Sequence, residues 1–218
     1  MAETRTENRK EEHVTFRSGE LTLEGLLARP PADASQPCAV VCHPHPLYGG
    51  SMHNNVVEAV LAAMWLLGHA TLRFNFRGVG ASEGGHDGGR GERDDALAAL
   101  AFLASQPGVR KDAAVLAGYS FGAMAAMGAG LASDEVARIV AVALPVAMGD
   151  FSAGGIARKP VLLLSGDSDS YSPISRLRSL QAALGESAQL EIIAGTDHFF
   201  GGKEDELAAA IAAAMRKF

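Results

Sequence analysis

The chain has 218 residues, of which 48% are apolar and 20% are charged, and its formal net charge at pH 7 is −6. This size and composition predict one compact domain with a hydrophobic core. Because Lys and Arg are not in excess, we expect neither a nucleic acid nor an anionic membrane as a partner. The first residues are rich in charge and lack the apolar stretch of a signal peptide. They predict a cytoplasmic protein with a charged, flexible N-terminus over residues 1–12 and a single domain over residues 13–218.

The predicted elements begin with two β-rich runs, residues 13–18 and 21–28, which lie so close together that they indicate an antiparallel hairpin at one sheet edge. Further along the chain, apolar runs alternate with helical patterns, which is typical of a parallel sheet covered by helices. Six more strands are predicted over residues 38–42, 70–76, 113–118, 138–144, 160–166 and 190–195, with helices over residues 53–67, 92–106, 120–132, 173–184 and 203–217. The segment 146–159 is too short for an inserted cap domain, so we expect an open site.

The chain has only two cysteines, Cys38 and Cys42, which lie four residues apart in an apolar run. On a β-strand this spacing separates them by roughly 13 Å, which is too far for a disulfide. We therefore expect two buried free thiols in a reducing compartment.

The pentapeptide from Gly118 to Gly122 matches the G-x-S-x-G nucleophile elbow, in which Ser120 occupies a sharp turn between a strand and a helix. Alone, the motif is weak in a chain with 25 glycines. Here an apolar run precedes it and a helical pattern follows it, as the elbow requires. The alternative is a Gly-rich loop between buried elements. We favour Ser120 as the nucleophile of an α/β-hydrolase fold.

A carboxylate is expected after a later strand to orient the catalytic base. The G-x-x-D spacing after the run 160–166 favours Asp169. Asp167 competes with it, although a hydrogen bond within its own turn is the more natural role for that residue. Asp150, which follows the preceding strand, is the remaining candidate.

His198 is the predicted base, because it lies in a loop after the last strand and completes the chain order Ser, Asp, His. Its imidazole would take the proton from Ser120, and Asp169 would fix its tautomer.

The oxyanion of an acyl transfer needs two N–H donors. Phe121, directly after the nucleophile, predicts the first donor. The second is expected from the loop 43–50, whose two prolines have no N–H to offer. Leu47 is favoured and His45 is the alternative. The histidines of this loop suggest a metal site, but no Asp, Glu or Cys cluster joins them, so we expect no metal.

Four segments, CHPHPLYGGSMHNNVV, TLRFNFRGVGASEG, AGYSFGA and TDHFFGG, resemble the small, lidless bacterial α/β-hydrolases related to dienelactone hydrolase. The resemblance spans about residues 13–217. It implies an eight-stranded, mostly parallel sheet with helices on both faces, a Ser nucleophile, and ester hydrolysis without a cofactor. True dienelactone hydrolases carry Cys at the position of Ser120, so their particular substrate is not implied. Asn75, Arg77 and Gly78 match the family pattern after the fourth strand, where we expect them to hold a turn.

These features together predict a carboxylesterase-like serine hydrolase that cleaves small or short-acyl carboxylic esters through an acyl-enzyme on Ser120. A thioesterase or a peptidase would use the same three residues, and the sequence does not separate these activities. A non-catalytic binding protein that keeps the fold is disfavoured by the complete triad. A small-molecule ester is the expected partner, and a monomer and a homodimer both remain open.

Overall fold

The computed structural model describes residues 9–29, 35–149, 151 and 158–217. The described residues form eight strands: β1 (Glu11–Ser18), β2 (Leu21–Ala28), β3 (Gln36–Cys42), β4 (Ala70–Phe74), β5 (Val109–Tyr119), β6 (Arg138–Val142), β7 (Val161–Gly166) and β8 (Ala188–Ile193). They also form five α-helices: α1 (Asn55–Leu66), α2 (Arg90–Ala104), α3 (Phe121–Ala132), α4 (Ile174–Leu184) and α5 (Glu204–Met215). A short 3-10 helix covers Pro46–Tyr48.

The strands pair in one sheet of order β1-β2-β4-β3-β5-β6-β7-β8. β1 pairs with β2, and β2 with β4, in the antiparallel sense, while the five remaining pairings are parallel. The predicted edge hairpin and mostly parallel sheet are therefore confirmed. Because the carboxyl ends of parallel strands meet at one edge, the loops after β3, β5, β6, β7 and β8 converge there.

Helices cover both faces of the sheet, and the alternation of side chains along each strand assigns residues to the two layers. In β3, Ala39 and Val41 pack with α1 and α5, whereas Val40 faces the side that α2, α3 and α4 cover. Both faces are thus buried, which explains why the parallel strands read as continuous apolar runs.

Of the eight described strands, only β2 has the predicted bounds. The other strands differ from the prediction by one to four residues at one end or both, for example β1, β4 and β5. β1 begins inside the expected flexible segment, because Glu11 pairs with Ala28 and its carboxylate lies 2.5 Å from Arg73. Residues 1–8 lie outside the described part. β4 ends at Phe74 rather than residue 76, since the Phe76 N–H donates to the ring of His43 at 3.0 Å. β5 begins at Val109, four residues before the predicted start.

The turn after β4 is held by the residues expected to hold it. The Asn75 side chain accepts from the N–H of Met52 at 2.9 Å and donates to Glu24 at 2.6 Å. Arg77 makes two hydrogen bonds of 2.9 and 2.7 Å to the fully buried carboxylate of Asp95 on α2. This turn therefore ties β2, β4 and α2 to the loop after β3.

Both cysteines are free and buried, as predicted. Burial raises the pKa of the Cys38 thiol to about 11, and burial together with the charge of Asp95 raises the pKa of Cys42 still further. None of the described helices combines the length and hydropathy that crossing a bilayer requires.

Candidate active site

Ser120 lies between β5 and α3 with φ 55° and ψ −118°, a backbone conformation that costs a non-glycine residue about 1–3 kcal/mol. Its N–H donates to the carbonyl of Val142 on β6 at 2.9 Å, and its carbonyl accepts from the N–H of Ala123 at 2.9 Å. The end of β5 and the first turn of α3 are thus fixed around it. This is the geometry of a nucleophile elbow.

The two glycines of the motif are required by close backbone contacts. A Cβ on Gly118 would lie 2.1 Å from the carbonyl oxygen of Gly122, and a Cβ on Gly122 would lie 2.2 Å from the carbonyl oxygen of Cys42. Backbone atoms on both sides leave no room for a methyl group. The start of α3 therefore packs directly against the end of β3, next to the loop expected to supply the second oxyanion donor.

His198 stands in the loop after β8 and connects the other two members of the predicted triad. Its Nε2 lies 2.9 Å from the Oγ of Ser120, and its Nδ1 lies 2.8 Å from the Oδ2 of Asp169. The hydroxyl of Tyr119 donates to the His198 carbonyl at 3.0 Å, which fixes the backbone of the loop. The sequence placed these three residues in different loops, and the structure brings them together.

Asp169 is held by its own turn so that one oxygen faces His198. Its Oδ1 accepts from the N–H groups of Tyr171 at 2.8 Å and Ser172 at 3.1 Å, while Oδ2 faces the imidazole and also accepts from the Ser165 hydroxyl at 3.4 Å. Burial alone would raise the pKa of Asp169, but the hydrogen bond and charge of His198, together with these N–H groups, bring it below its usual value. The carboxylate is therefore ionised at neutral pH.

The competing carboxylate, Asp167, points elsewhere. It is exposed, and both of its oxygens lie 3.0 Å from the N–H of Gly195, a hydrogen bond that lowers the pKa of Asp167. Asp167 thus links the loop after β7 to the loop after β8. The third candidate, Asp150, lies outside the described residues.

The candidate oxyanion donors lie at the start of α3 and in the loop after β3. Phe121 is the first residue of α3, where N–H groups have no partner within the helix. The N–H of Leu47 already donates to the Nδ1 of His45 at 3.2 Å, and the Leu47 side chain is 70% exposed. The N–H of His45 donates to no other described residue. This arrangement favours the alternative donor, His45, over Leu47.

The imidazole of His45 belongs to an aromatic cluster that the sequence did not reveal. Its ring centroid lies 4.8 Å from that of Phe121, 4.7 Å from that of Tyr48 and 4.9 Å from that of His86. The Nδ1 of His86 lies 2.7 Å from the fully buried carboxylate of Glu92. Burial, and then the neighbouring charge of His86, lower the pKa of His45. A loop contact between residues 41 positions apart leaves no local pattern from which to predict it.

The other histidine of this loop, His43, has a structural role. It is fully buried, its Nδ1 lies 2.6 Å from the carbonyl of Pro44, and its Nε2 accepts from the N–H of Phe76. Burial lowers the pKa of His43 to about 4, so the ring is neutral at physiological pH. His43 therefore joins the loop after β3 to the end of β4.

Known proteins are similar to this chain in both sequence and architecture. A family model described as X-Pro dipeptidyl-peptidase (S15 family) matches residues 20–214. An uncharacterized protein of Rickettsia prowazekii (strain Madrid E) is 36% identical over 206 residues, which cover 91% of this chain and 86% of that protein. Among solved structures, an α/β serine hydrolase homologue from Coxiella burnetii is 32% identical with a TM-score of 0.85, covering 94% of this chain and 97% of the other.

A second solved structure, an α/β serine hydrolase without a lid from Xanthomonas campestris, is also 32% identical, with a TM-score of 0.83 and coverage of 95% of this chain and 94% of that one. The expected likeness to small lidless bacterial α/β-hydrolases is thereby confirmed. The chain is an α/β serine hydrolase of the lidless type and belongs to the X-Pro dipeptidyl-peptidase (S15) family.

Proposed function

We propose that the protein is a carboxylesterase that hydrolyses small esters through an acyl-enzyme on Ser120. The observation that carries the proposal is the continuous hydrogen-bonded chain of Ser120, His198 and Asp169, with distances of 2.9 and 2.8 Å, on a strained elbow. Strain at a single residue persists only where the surroundings enforce it, and it concentrates at functional sites.

The proposed reaction uses the ester, one water molecule and groups of the chain. His198 Nε2 accepts the proton of Ser120 while Oγ attacks the ester carbonyl, and the N–H groups of Phe121 and His45 receive the oxyanion. The tetrahedral intermediate collapses, the bond to the alcohol oxygen breaks, and His198 gives its proton to that alcohol. A water molecule, deprotonated by His198, then attacks the acyl carbonyl. The bond between this carbonyl carbon and Ser120 Oγ breaks, His198 returns its proton to Oγ, and the acid is released.

A small acyl group suits the surroundings of Ser120. Between β6 and β7, none of the described residues is helical, so this connection contributes no described helix above the elbow. An acyl chain extending beyond a shallow site stays partly in water and gains little of the roughly 0.8 kcal/mol that each buried CH₂ supplies. We therefore propose a preference for short acyl chains.

Peptide hydrolysis is the second candidate, because the matching family model is that of X-Pro dipeptidyl-peptidases. The same triad serves an amide, whose leaving amine also needs the proton carried by His198. Initial rates on p-nitrophenyl acetate and on alanyl-proline p-nitroanilide, measured at equal enzyme concentration, separate the two. We expect the ester to be preferred, and a higher kcat/KM on the anilide would replace the esterase assignment with a peptidase one.

The nucleophile itself is tested by labelling with a fluorophosphonate probe, with Ser168→Ala as a matched control because Ser168 is an exposed serine of the loop after β7. We expect the wild type and Ser168→Ala to be labelled and Ser120→Ala to remain unlabelled. The Ser120→Ala enzyme should fold normally and lose about 10⁶-fold in kcat. Retention of a tenth of the wild-type activity would exclude Ser120 as the nucleophile.

A further inference from the structure

We propose that Tyr171 and Phe199 form a binding site for the alcohol portion of the ester, so that the enzyme prefers esters of aromatic alcohols. The inference rests on the proposed esterase function and concerns the leaving-group side of the same site.

The two rings flank the catalytic imidazole. The ring centroid of Tyr171 lies 4.7 Å from that of His198, and the ring of Phe199 meets His198 edge-on, with centroids 5.6 Å apart and an interplanar angle of 90°. Tyr171 is 45% exposed and Phe199 is 63% exposed. An apolar surface open to solvent is therefore present directly beside the group that protonates the leaving alcohol.

Exposed large apolar side chains are concentrated at this end of the molecule. Among the described residues, the exposed ones are Leu47, Tyr48, Met148, Tyr171 and Phe199. All five lie in loops that follow β3, β6, β7 and β8, at the carboxyl edge of the sheet. Of these five, Tyr171 and Phe199 are the two whose rings contact the catalytic imidazole, so they form the exposed apolar surface beside His198.

The backbone beneath Tyr171 is fixed by the catalytic machinery. Its N–H donates to the Oδ1 of Asp169 at 2.8 Å, and its carbonyl accepts from the N–H of Ala147 at 3.0 Å. The ring can therefore contact a ligand without first ordering its loop, which reduces the entropic cost of binding.

Phe199 is held in the same way. Its N–H donates to Asp197 at 2.9 Å, and its carbonyl accepts from the side-chain amide of Asn55 at 3.3 Å. The next residue, Phe200, is fully buried and has φ 55°. One phenylalanine thus anchors the loop in the core while its neighbour is presented to solvent.

The positions that the reaction requires of the ester's two oxygens determine which part of the substrate contacts these rings. The carbonyl oxygen must turn towards the N–H groups of Phe121 and the loop after β3. The alcohol oxygen must come within hydrogen-bond reach of His198 Nε2 to receive its proton. The group attached to that oxygen then extends along the His198 ring, between Tyr171 and Phe199. Flat aromatic groups gain most from such a place, because ring pairs favour edge-on and offset contacts.

A rival explanation is that the two rings only shield His198 from water. The rivals are separated by comparing benzyl acetate with ethyl acetate, which share the acyl group and differ in the alcohol. Loss of shielding would lower kcat/KM for both esters by one factor. Loss of an aromatic binding site would lower the ratio of kcat/KM for benzyl acetate to that for ethyl acetate.

The experiment measures this ratio for the wild type, Tyr171→Ala, Phe199→Ala and the control Tyr48→Ala. Tyr48 is 87% exposed, and its ring contacts that of His45 at an interplanar angle of 56°, in the loop proposed to supply the second oxyanion donor. We expect the ratio to fall about tenfold in Tyr171→Ala and in Phe199→Ala, and to stay within about twofold of the wild type in Tyr48→Ala. Benzyl alcohol should inhibit the wild type competitively, with a higher inhibition constant in the first two variants.

If a variant fails to fold by circular dichroism, Tyr171→Leu or Phe199→Leu, which keeps apolar volume but removes the flat ring, replaces it with the same expected direction. An unchanged ratio in the Tyr171 and Phe199 variants, or an equal fall in Tyr48→Ala, would overturn the inference while ester hydrolysis continues. A wild type that hydrolyses neither ester would overturn the proposed function as well.

Discussion

Replacing Asp169 by Asn tests the assignment of the catalytic carboxylate most sharply, because the structure dictates how the new amide must sit. Two N–H donors, from Tyr171 and Ser172, point at Oδ1 at 2.8 and 3.1 Å. The amide oxygen has to take this position, since an NH₂ group there would face two donors. The amide nitrogen then replaces Oδ2, 2.8 Å from His198 Nδ1.

The Asp169→Asn substitution is expected to change which ring nitrogen of His198 carries the proton. Facing an NH₂ group, its Nδ1 must become the acceptor, and the ring proton moves to Nε2. Nε2 is the atom 2.9 Å from Ser120 Oγ, so it has no lone pair left to take the serine proton. A tautomer error of this kind costs about 10⁴ in kcat, or roughly 5 kcal/mol of transition-state stabilisation. KM and the melting temperature should change little, because the shape and the backbone hydrogen bonds are kept.

The assay compares Asp169→Asn with Asp167→Asn on p-nitrophenyl acetate. Asp167 is exposed, and its carboxylate is hydrogen-bonded to Ser168, Gly195 and Thr196 rather than to His198, so its amide variant should keep activity within about tenfold of the wild type. Equal losses in the two variants, or the larger loss in Asp167→Asn, would refute the reasoning.

Further expectations concern substrate length, packing and pH. On p-nitrophenyl esters, kcat/KM should peak between acetate and butyrate and fall by octanoate, whereas a rise continuing to decanoate would reveal an apolar channel. Gly122→Ala, which sets a methyl 2.2 Å from the Cys42 carbonyl, should lower the melting temperature by roughly 10 °C, while Gly85→Ala, with open space around its Cβ position, should not. The pKa values of His43 and His69 are lowered to about 4 by burial, so the unfolded chain binds more protons below pH 6.5. As the pH falls from 7 to 4.5, the free energy of unfolding should decrease by about 2–3 kcal/mol per histidine. Urea titrations at these pH values should show a smaller decrease in the free energy of unfolding of His69→Gln than in that of the wild type.

The alternation of apolar runs was enough to predict the sheet, because strands buried on both faces and covered by helices leave a strong periodic signal. The run from Leu21 to Ala28 is a strand with the predicted bounds. The end of β4 was missed because it depends on a hydrogen bond to His43, a residue 33 positions away that no local pattern connects to Phe76.

In the candidate site, too, some residues were predictable from local patterns and others depend on contacts between distant parts of the chain. Ser120 and His198 were predictable because each follows a strand whose carboxyl end had to meet the others at one edge. The preference for His45 over Leu47 as the proposed second oxyanion donor depends on how the His45 side chain turns back to accept from the Leu47 N–H, which the sequence does not specify. The rings beside His198 come from separate loops, and only the folded sheet edge brings Tyr171 and Phe199 to the same imidazole.

The two buried thiols allow the opening of the central sheet to be followed in solution. Cys38 and Cys42 lie on β3, between β4 and β5, and a thiol with a raised pKa reacts only once it is exposed and ionised. A disulfide reagent added to the native enzyme therefore reports the opening of the innermost strand, with no background from other cysteines. The rate of that reaction measures how often the sheet opens in a sample of active enzyme. Because the native thiols are protected, a cysteine introduced at the surface can be labelled alone.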